Sequence, residues 1–243
     1  MMTTLAERLA RPSEPLAPSR VCLAALGCAQ LFLNPLVAGV ENVGGGLRRR
    51  WRRERRRRVV GRSYDMAVEV ARVLPRRARV LDVGCGSGFI AHHLSAILGT
   101  SVTGLDIRKQ TDAPIDYLSF DGARLPVIDG SYDAVLLCYV LHHAQDQRGF
   151  LREVRRALRP GGLAIVYEDI PGGGWDRAVC GVHERQWRAR TGPCTFRLPE
   201  GWRDLFAAAG FELVAERPLS RWRNLAHPVT RRLFVLRAVN REP

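Results

Sequence analysis

The chain has 243 residues, of which 46% are hydrophobic and 26% are charged, a composition typical of a folded globular protein. This length accommodates one α/β domain with an appended segment and excludes two ordinary domains. The net charge of +14 is uneven, because residues 1–58 hold 12 Arg and 4 acidic residues while residues 59–243 carry the remaining +6. The six cysteines form no C-x-x-C pair, which favours a cytosolic protein with reduced thiols over a disulfide framework.

The first forty residues predict two segments. Residues 1–20 lack apolar periodicity, so we expect them to be disordered. Residues 21–40 carry no charge and reach the length of a membrane helix, but Gln30, Asn34 and Pro35 interrupt the apolar run. Three interpretations stay open: a helix that packs on the domain or on a membrane surface, a spanning anchor, and an over-extended translation start.

Residues 41–58 combine glycines with a cluster of arginines. The glycines predict a flexible hinge over residues 41–47, and nine Arg follow between Arg48 and Arg58. Such a run is either a solvated charged segment or a binder of phosphate groups on lipids or nucleic acid. Membrane-surface contact through residues 21–58 is favoured over nucleic acid, because no RNA-binding module with aromatic platforms accompanies the arginines.

From residue 59 to residue 243, helical and strand patterns alternate, which predicts one α/β domain with a parallel, doubly wound sheet. Helices are predicted over residues 63–74, 89–98, 150–158 and 199–209. Strands are predicted over residues 79–83, 101–106, 115–120, 132–138, 163–167, 211–216 and 233–237. The sequence Arg-Pro-Gly-Gly at 159–162 predicts the turn that ends the third of these helices.

A glycine-rich turn follows the first predicted strand. Gly84, Gly86 and Gly88 alternate there, so that backbone N–H groups can approach a bound nucleotide closely. Asp106 ends the second strand, where a carboxylate can accept both ribose hydroxyls of an adenosine. The spacing G-x-G-x-G, with Asp82 two residues ahead, differs from the G-x-G-x-x-G of dinucleotide-binding proteins and argues against a nicotinamide enzyme.

Three segments carry a family resemblance: VLDVGCGSGF (80–89), FDGARLPVIDGSYDAVLLCYVLHH (120–143) and LREVRRALRPGGLAIVYED (151–169). In this order they resemble motifs of the class I S-adenosylmethionine-dependent methyltransferases, in the type 11 branch that acts on small molecules. The resemblance covers residues 79–169. It implies a Rossmann-like seven-stranded sheet of order 3-2-1-4-5-7-6 with strand seven antiparallel. It also implies S-adenosyl-L-methionine as the cofactor and a small-molecule methyl acceptor.

The resemblance implies roles in the cofactor site for individual residues. Asp82 is expected to hold the methionine ammonium group, Asp106 the ribose, and Asp121 the amino group of adenine. The alternatives are a plain strand-end acid for Asp82 and a turn-forming residue for Asp121. The remaining residues expected around the cofactor are Gly84, Cys85, Gly86, Gly88, Ile107, Gly122 and Cys138.

Candidate catalytic residues follow the fourth and fifth strands. His142 and His143 lie at the carboxyl edge of the predicted sheet, where an imidazole can accept a proton near neutral pH, and Glu168 is the third candidate. Structural packing is the alternative interpretation for the two histidines, and an N-cap or ion-pair role is the alternative for Glu168 and Asp169. Residues 171–197 are expected to form a lid, and the acceptor pocket is expected to include Asp169, Trp175, His183 and Trp187. No metal is expected, because Cys180, His183 and Cys194 lack an evident fourth ligand.

The expected activity is direct in-line methyl transfer, in the cytoplasm, to a small and partly apolar acceptor. An RNA methyltransferase that uses the arginine-rich segment and a cofactor-binding partner subunit without turnover are the alternatives. The sequence lacks an N/D-P-P-Y/F quartet after the fourth strand, which argues against methylation of nucleic-acid amino groups. It leaves open the acceptor, the methylated atom and the oligomeric state.

Overall fold

The computed structural model describes residues 45–108 and 111–239. Five helices and seven strands lie in these ranges. The helices are α1 (Gly45–Ala71), α2 (Phe89–Leu98), α3 (Gln147–Ala157), α4 (Gly174–Thr191) and α5 (Pro199–Ala208). The strands are β1 (Val80–Val83), β2 (Val102–Asp106), β3 (Asp116–Ser119), β4 (Tyr132–Cys138), β5 (Leu158–Asp169), β6 (Phe211–Leu219) and β7 (Arg231–Ala238). Short 3₁₀ helices cover Leu141–His143 and Arg221–Arg223.

The seven strands form one sheet in the order β3-β2-β1-β4-β5-β7-β6. Pairing is parallel from β3 to β5, whereas β7 is antiparallel to both β5 and β6. The predicted strand order and the antiparallel seventh strand are therefore confirmed. Because β1 pairs with β2 on one side and with β4 on the other, the winding reverses between β1 and β4. Ligands bind at this point in doubly wound sheets, beyond the carboxyl ends of the strands.

Helices cover both faces of the sheet, which explains the continuous apolar run of β4. Val135 and Leu137 pack on the side of α3 and α5, in a cluster that includes Trp202. Ala134 and Leu136 point to the opposite side, where α1 and α2 pack. This alternation follows from the two-residue period of a strand, and it holds the carboxyl end of β4 between two packed layers.

Helix α1 extends further than predicted. It begins at Gly45 and includes the arginine-rich run, so residues 45–47 are helical where a hinge was expected. Arginine is a good helix former, and Met66, Ala67 and Val70 anchor the end of the helix in the core. The helix thus continues across residue 58, where the sequence had suggested a boundary. The rest of the expected hinge and the segments over residues 1–40 lie outside the described residues.

A buried carboxylate connects α1 to the sheet. Glu69 forms ion pairs with Arg217 of β6 and with Arg223, the latter at 3.0 Å. The hydroxyl group of Tyr167 in β5 donates a hydrogen bond to Glu69 Oε2 at 3.0 Å. The far end of α1 is therefore fixed over β5 and β6 by charge as well as by apolar packing.

Strand β5 begins directly after α3, so the predicted turn at 159–162 falls within the strand. Tyr132 pairs with Leu158, and the register then shifts so that Ala134 pairs with Leu163. The intervening residues bulge out of the ladder, with Gly161 at a φ of 73°. The chain therefore enters the sheet before the turn instead of after it.

Within the described ranges, the helices lack the combination of length and hydropathy that a membrane crossing requires.

Candidate functional site

The glycine turn after β1 has a left-handed backbone at Gly84, Gly86 and Gly88, with φ of 72°, 53° and 77°. A Cβ atom at Gly84 would lie 2.4 Å from Val140 Cγ2, so glycine permits close packing against the segment after β4. At Gly86 a Cβ would meet no atom within 4 Å, so this residue faces open space. The turn therefore presents bare backbone to the crevice between β1 and β4.

Asp106, at the end of β2, is attached to this turn. Its Oδ2 accepts a hydrogen bond from Gly86 N at 2.9 Å, and its Oδ1 accepts one from Arg108 N at 3.1 Å. Each carboxylate oxygen has a second lone pair that a ribose hydroxyl could use. The structure thus brings together the two features that the sequence analysis assigned to the adenosine.

Asp82, the penultimate residue of β1, is 1% exposed. Among the described residues, its carboxylate oxygens have no hydrogen bond of ordinary geometry and no cation as a partner, and the backbone N–H of Ala91 only partly offsets the effect of burial. Burial and the negative charge of Asp106 raise the pKa of Asp82 to about 7. A buried carboxylate without a partner is rare in folded proteins. The ammonium group of a bound methionine moiety would supply the missing cation, so Asp82, Asp106 and the glycine turn fit S-adenosylmethionine.

Three other residues predicted for the cofactor, Ile107, Asp121 and Gly122, follow the ends of β2 and β3. Asp121 is exposed, and its Oδ1 accepts hydrogen bonds from Ala123 N and Arg124 N, which lowers the pKa of the carboxyl group. Ile107 is exposed, and its Cγ2 atom would lie 3.4 Å from a Cβ at Gly122. Asp121 therefore forms the turn that the alternative interpretation predicted, and the same exposed corner carries Ile107 and Gly122.

The two cysteines of this region are not activated nucleophiles. Burial raises the pKa of Cys85 to about 12, and its side chain lies against Gly104 of β2. Burial also raises the pKa of Cys138, at the end of β4, well above its usual range. Both thiols stay protonated at neutral pH, so these residues contribute shape and backbone to the crevice.

His142 and Glu168 form a buried pair at the carboxyl ends of β4 and β5. Both side chains are fully buried, and His142 Nδ1 lies 2.6 Å from Glu168 Oε2. Glu168 Oε1 accepts a second hydrogen bond from Leu141 N at 2.8 Å. Burial opposes a charge on His142, but the adjacent Glu168 carboxylate outweighs it and raises the pKa of the imidazole. This geometry places the proton on Nδ1 and directs Nε2 away from Glu168.

Helix α4 brings a third imidazole, that of His183, next to His142 and His143. His183 Nε2 lies 3.3 Å from His142 Nε2 and 3.2 Å from His143 Nε2. Burial and the neighbouring histidines lower the pKa of His143 to about 3 and that of His183 to about 4. Both imidazoles are therefore neutral at pH 7. Trp187, one turn later on α4, stacks on His183 with ring centroids 5.9 Å apart.

The loop after α4 is attached to the turn that carries His142. Thr195 N donates a hydrogen bond to His142 O at 2.8 Å, and Gln147 Nε2 donates to both Leu141 O and Thr195 O. These bonds hold the ring of Phe196 against that of His142, with centroids 4.6 Å apart. The histidines thus have aromatic neighbours on two sides.

Asp169 forms a second charged group next to the cluster. Its Oδ2 lies 2.7 Å from His227 Nε2, and its Oδ1 lies 3.0 Å from Arg231 Nε. Burial alone would raise the pKa of Asp169, but the hydrogen bond from His227 and the charge of Arg231 lower it. His227 also contacts His183, with ring centroids 5.1 Å apart. Asp169 therefore reaches the cluster through His227.

The predicted pocket residue Trp175 lies near the start of α4. Trp175 is 53% exposed, and its indole N–H donates a hydrogen bond to Pro228 O at 2.8 Å. It lies at the surface end of the helix.

Thr191 was missed by the sequence analysis, although its Oγ1 lies 3.0 Å from His143 Nδ1. Thr191 follows Trp187 by four residues and His183 by eight, so all three side chains lie on one face of the helix. This spacing could have identified Thr191 from the sequence.

The sheet order, the reversal point between β1 and β4 and the crevice next to the glycine turn define a Rossmann-like methyltransferase fold. Residues 81–166 match the family model described as a methyltransferase domain of type 11. Together with the sheet order, this match supports a domain of the type 11 branch of the class I S-adenosylmethionine-dependent methyltransferases in this part of the chain.

Curated relatives match this region at moderate identity. A sterol 24-C-methyltransferase of Gibberella zeae is 37% identical over 103 residues, which cover 37% of this chain and 27% of the relative. A mitochondrial arginine-hydroxylase of Danio rerio is 36% identical over 117 residues, covering 45% and 36% of the two chains. A ubiquinone biosynthesis O-methyltransferase of Rhizobium rhizogenes is 34% identical over 99 residues, covering 36% and 40%. The chain thus spans less than half the length of these relatives.

Solved structures share the fold at low identity. A S-adenosylmethionine-dependent methyltransferase of Methanosarcina mazei aligns with a TM-score of 0.56 and 18% identity over 70% of this chain and 96% of that chain. The [4+2]-cyclase SpnF aligns with a TM-score of 0.57 and 21% identity, covering 72% and 81% of the two chains. At these identities the likeness concerns the fold alone.

Proposed function

We propose that this protein transfers a methyl group from S-adenosyl-L-methionine to a small, partly apolar acceptor by direct in-line displacement. The proposal rests on two carboxylates: the buried Asp82, which has no cation partner within the described residues, and Asp106, which is held against the bare backbone of Gly86. A cation and a diol are the groups that these two carboxylates suit, and S-adenosylmethionine carries both.

The cofactor supplies an activated methyl group on a sulfonium sulfur, so the main work of the protein is positioning. Asp82 would hold the ammonium group and Asp106 the ribose. The backbone of the glycine turn, with Cys85 in it, would support the methionine moiety, as would Cys138. Asp121, Ile107 and Gly122 would border the adenine at the exposed corner.

The acceptor would bind beside the histidine cluster, against the aromatic rings of Trp187 and Phe196. Of the candidate catalytic residues, His142 and His143 can meet an acceptor proton, because each has an imidazole nitrogen directed to the cluster. Glu168 is fully buried and already accepts two hydrogen bonds, so it would act by fixing the tautomer of His142. Asp169 would position the same region through His227.

The names of the relatives support an acceptor with apolar surface, since they include a sterol methyltransferase and a ubiquinone biosynthesis methyltransferase. Two of the similar proteins are named for a hydroxylase and a cyclase, however. The test must therefore detect methyl transfer itself. Contact of residues 21–58 with a membrane surface and a cytoplasmic location stay predictions from the sequence.

The experiment is incubation of the full chain with methyl-labelled S-adenosylmethionine and a metabolite extract, followed by mass spectrometry of the products. We expect label in one or a few small molecules of low polarity, and no label with Asp106→Ala. Label in RNA that disappears on deletion of residues 1–58 would favour the RNA alternative. Bound cofactor without label in any fraction would contradict methyl transfer and favour a partner subunit.

A further inference from the structure

We infer that His142, His143 and His183 form a binding site for a divalent transition-metal ion, Zn²⁺ by preference, with one coordination position left open. The three side chains each offer a ring nitrogen, and these atoms lie within 4.8 Å of one another. Two come from the turn after β4 and the third from α4, so the site joins the sheet to the helix above it. This inference does not depend on the proposed methyl transfer, and it departs from the sequence-based expectation of no metal. With an ion bound, the Nε2 atoms of His142 and His143 are ligands, so the proton-accepting role proposed above applies to the metal-free protein.

The spacing of the nitrogens suits a metal centre. His183 Nε2 lies 3.3 Å from His142 Nε2 and 3.2 Å from His143 Nε2. In a tetrahedral zinc site with Zn–N bonds of 2.0–2.1 Å, neighbouring nitrogen ligands lie about 3.3–3.4 Å apart. Two of the three edges of the histidine triangle already have this length, so an ion requires little movement of the rings.

The partners of the opposite ring nitrogens are compatible with the tautomers that a metal requires. His142 Nδ1 donates to Glu168 Oε2, an arrangement that typically orients a metal-bound imidazole. Thr191 Oγ1 donates to Trp187 O at 3.3 Å and accepts from His143 Nδ1 at 3.0 Å. In the neutral Nδ1–H tautomers, both Nε2 atoms present a lone pair to His183.

Hydrogen bonds within the cluster do not satisfy these lone pairs. His183 Nε2 is next to two acceptors, yet a neutral imidazole has at most one hydrogen on that atom. In these neutral tautomers, one of the two contacts is therefore between two unprotonated nitrogens. A cation at the centre of the triangle satisfies all three nitrogens at once, which makes metal binding the arrangement that this geometry suits best.

The ligand set indicates the kind of ion and the open position. Three neutral imidazoles suit Zn²⁺ and other first-row ions such as Co²⁺ and Ni²⁺, and catalytic zinc sites commonly have three protein ligands with water in the fourth position. Two neighbours of the cluster have other partners within the protein: His227 Nε2 is bonded to Asp169, and Cys194 Sγ lies 3.3 Å from His143 Nδ1, on the far side of that ring. The fourth position is thus left for water or an oxygen ligand.

The test uses the full chain, stripped of metal with a chelator and titrated with Co²⁺, whose visible ligand-field bands report coordination number. We expect one Co²⁺ per chain with the intense bands of a four-coordinate ion, displaced by one equivalent of Zn²⁺. Acetohydroxamate, an oxygen-donor probe, should shift these bands. If Co²⁺ gives only the weak bands of an octahedral ion, the site is overturned. If acetohydroxamate leaves the bands unchanged, the open coordination position is overturned.

Variants localise the ion. His183→Asn should weaken Co²⁺ binding at least 100-fold, and Glu168→Gln, which leaves all three ligands in place, about 10–100-fold. The matched control is His92→Asn on α2, outside the cluster, which should bind Co²⁺ like the unmodified chain. Equal affinity of His183→Asn and the control would overturn the assignment. Circular dichroism and S-adenosylmethionine calorimetry on each variant show whether the domain is folded.

The same calorimetry separates this inference from the proposed function. Cofactor binding without Co²⁺ binding overturns the metal site and leaves the methyltransferase proposal standing. Co²⁺ binding without cofactor binding overturns the methyltransferase proposal and leaves the metal site standing.

Discussion

His142 Nδ1 lies 2.6 Å from Glu168 Oε2, and both side chains are fully buried. The carboxylate orients the imidazole so that its second nitrogen faces His183 Nε2, at 3.3 Å. We expect Glu168→Gln to reduce methyl transfer about 10²–10⁴-fold, because the orientation and basicity of His142 depend on this bond. Labelling of the extract product measures the effect. A glutamine side chain can still accept from Leu141 N, so cofactor affinity should change little, and unchanged transfer would exclude this role.

The glycine turn offers a contrast between two substitutions of the same size. Gly86→Ala places a methyl group in open space, where we expect it to obstruct the cofactor. Because φ is 53° at this residue, backbone strain should also lower the free energy of unfolding by about 1 kcal/mol. Gly84→Ala meets Val140 Cγ2 at 2.4 Å and should cost about 1–3 kcal/mol more through overpacking. Urea unfolding and cofactor calorimetry on both variants measure the two effects. Equal loss of stability would contradict the different surroundings of these glycines.

The pKa of Asp82 predicts a pH dependence of stability. Because its pKa is about 7 in the folded protein and about 4 in an unfolded chain, the folded state retains a proton that the unfolded state releases between these values. The free energy of unfolding should therefore fall as pH rises from about 4 to 7, by up to about 4 kcal/mol from this group alone, and then level off.

Asp82→Asn removes the titrating group and provides the control. Without cofactor, the variant should gain stability relative to the unmodified chain as pH rises through this window. Urea unfolding at several pH values checks the slope. Parallel pH profiles for the two proteins would show that Asp82 is ionised throughout.

The attachment of α1 rests on Glu69 and its arginine partners. Glu69→Gln leaves Arg217 and Arg223 without their counter-charge at partly buried positions. We expect a loss of about 2–3 kcal/mol, below the cost of breaking a fully buried ion pair because both arginines are partly exposed. Chemical denaturation provides the measurement. Glu184→Gln, which removes an exposed pair with Arg188 on α4, is the control and should cost under about 1 kcal/mol.

The sequence carried enough information for the order of the sheet, whereas the residues predicted for the cofactor stay a prediction. Strand order followed from the family resemblance, and the position of Asp106 against Gly86 followed from the ends of two adjacent parallel strands. The glycine turn and Asp106 lie in one short stretch of chain, so a local pattern identifies them, whereas the order of all seven strands needed the resemblance. The start of α1 was misjudged because the glycines at 45 and 46 indicated a hinge, whereas the helix-forming arginines behind them extend the helix over both.

The acceptor side depends on contacts between distant parts of the chain. His142 and His183 are 41 residues apart, and their nitrogens meet only because α4 packs over the ends of β4 and β5. The sequence alone grouped His183 with Cys180 and Cys194. It could not show that His142 and His143 supply the neighbours, or that Trp175 lies at the surface end of the same helix.

Calorimetric titration of the full chain with S-adenosylmethionine tests the central claim most directly. We predict one binding site per chain, an affinity at least 10-fold lower for Asp106→Ala, and unchanged affinity for Asp116→Asn, whose carboxylate lies at the other end of the adjacent strand β3. Binding that Asp106→Ala leaves intact, or no binding by the unmodified chain, would contradict the assignment of the crevice between β1 and β4 to this cofactor.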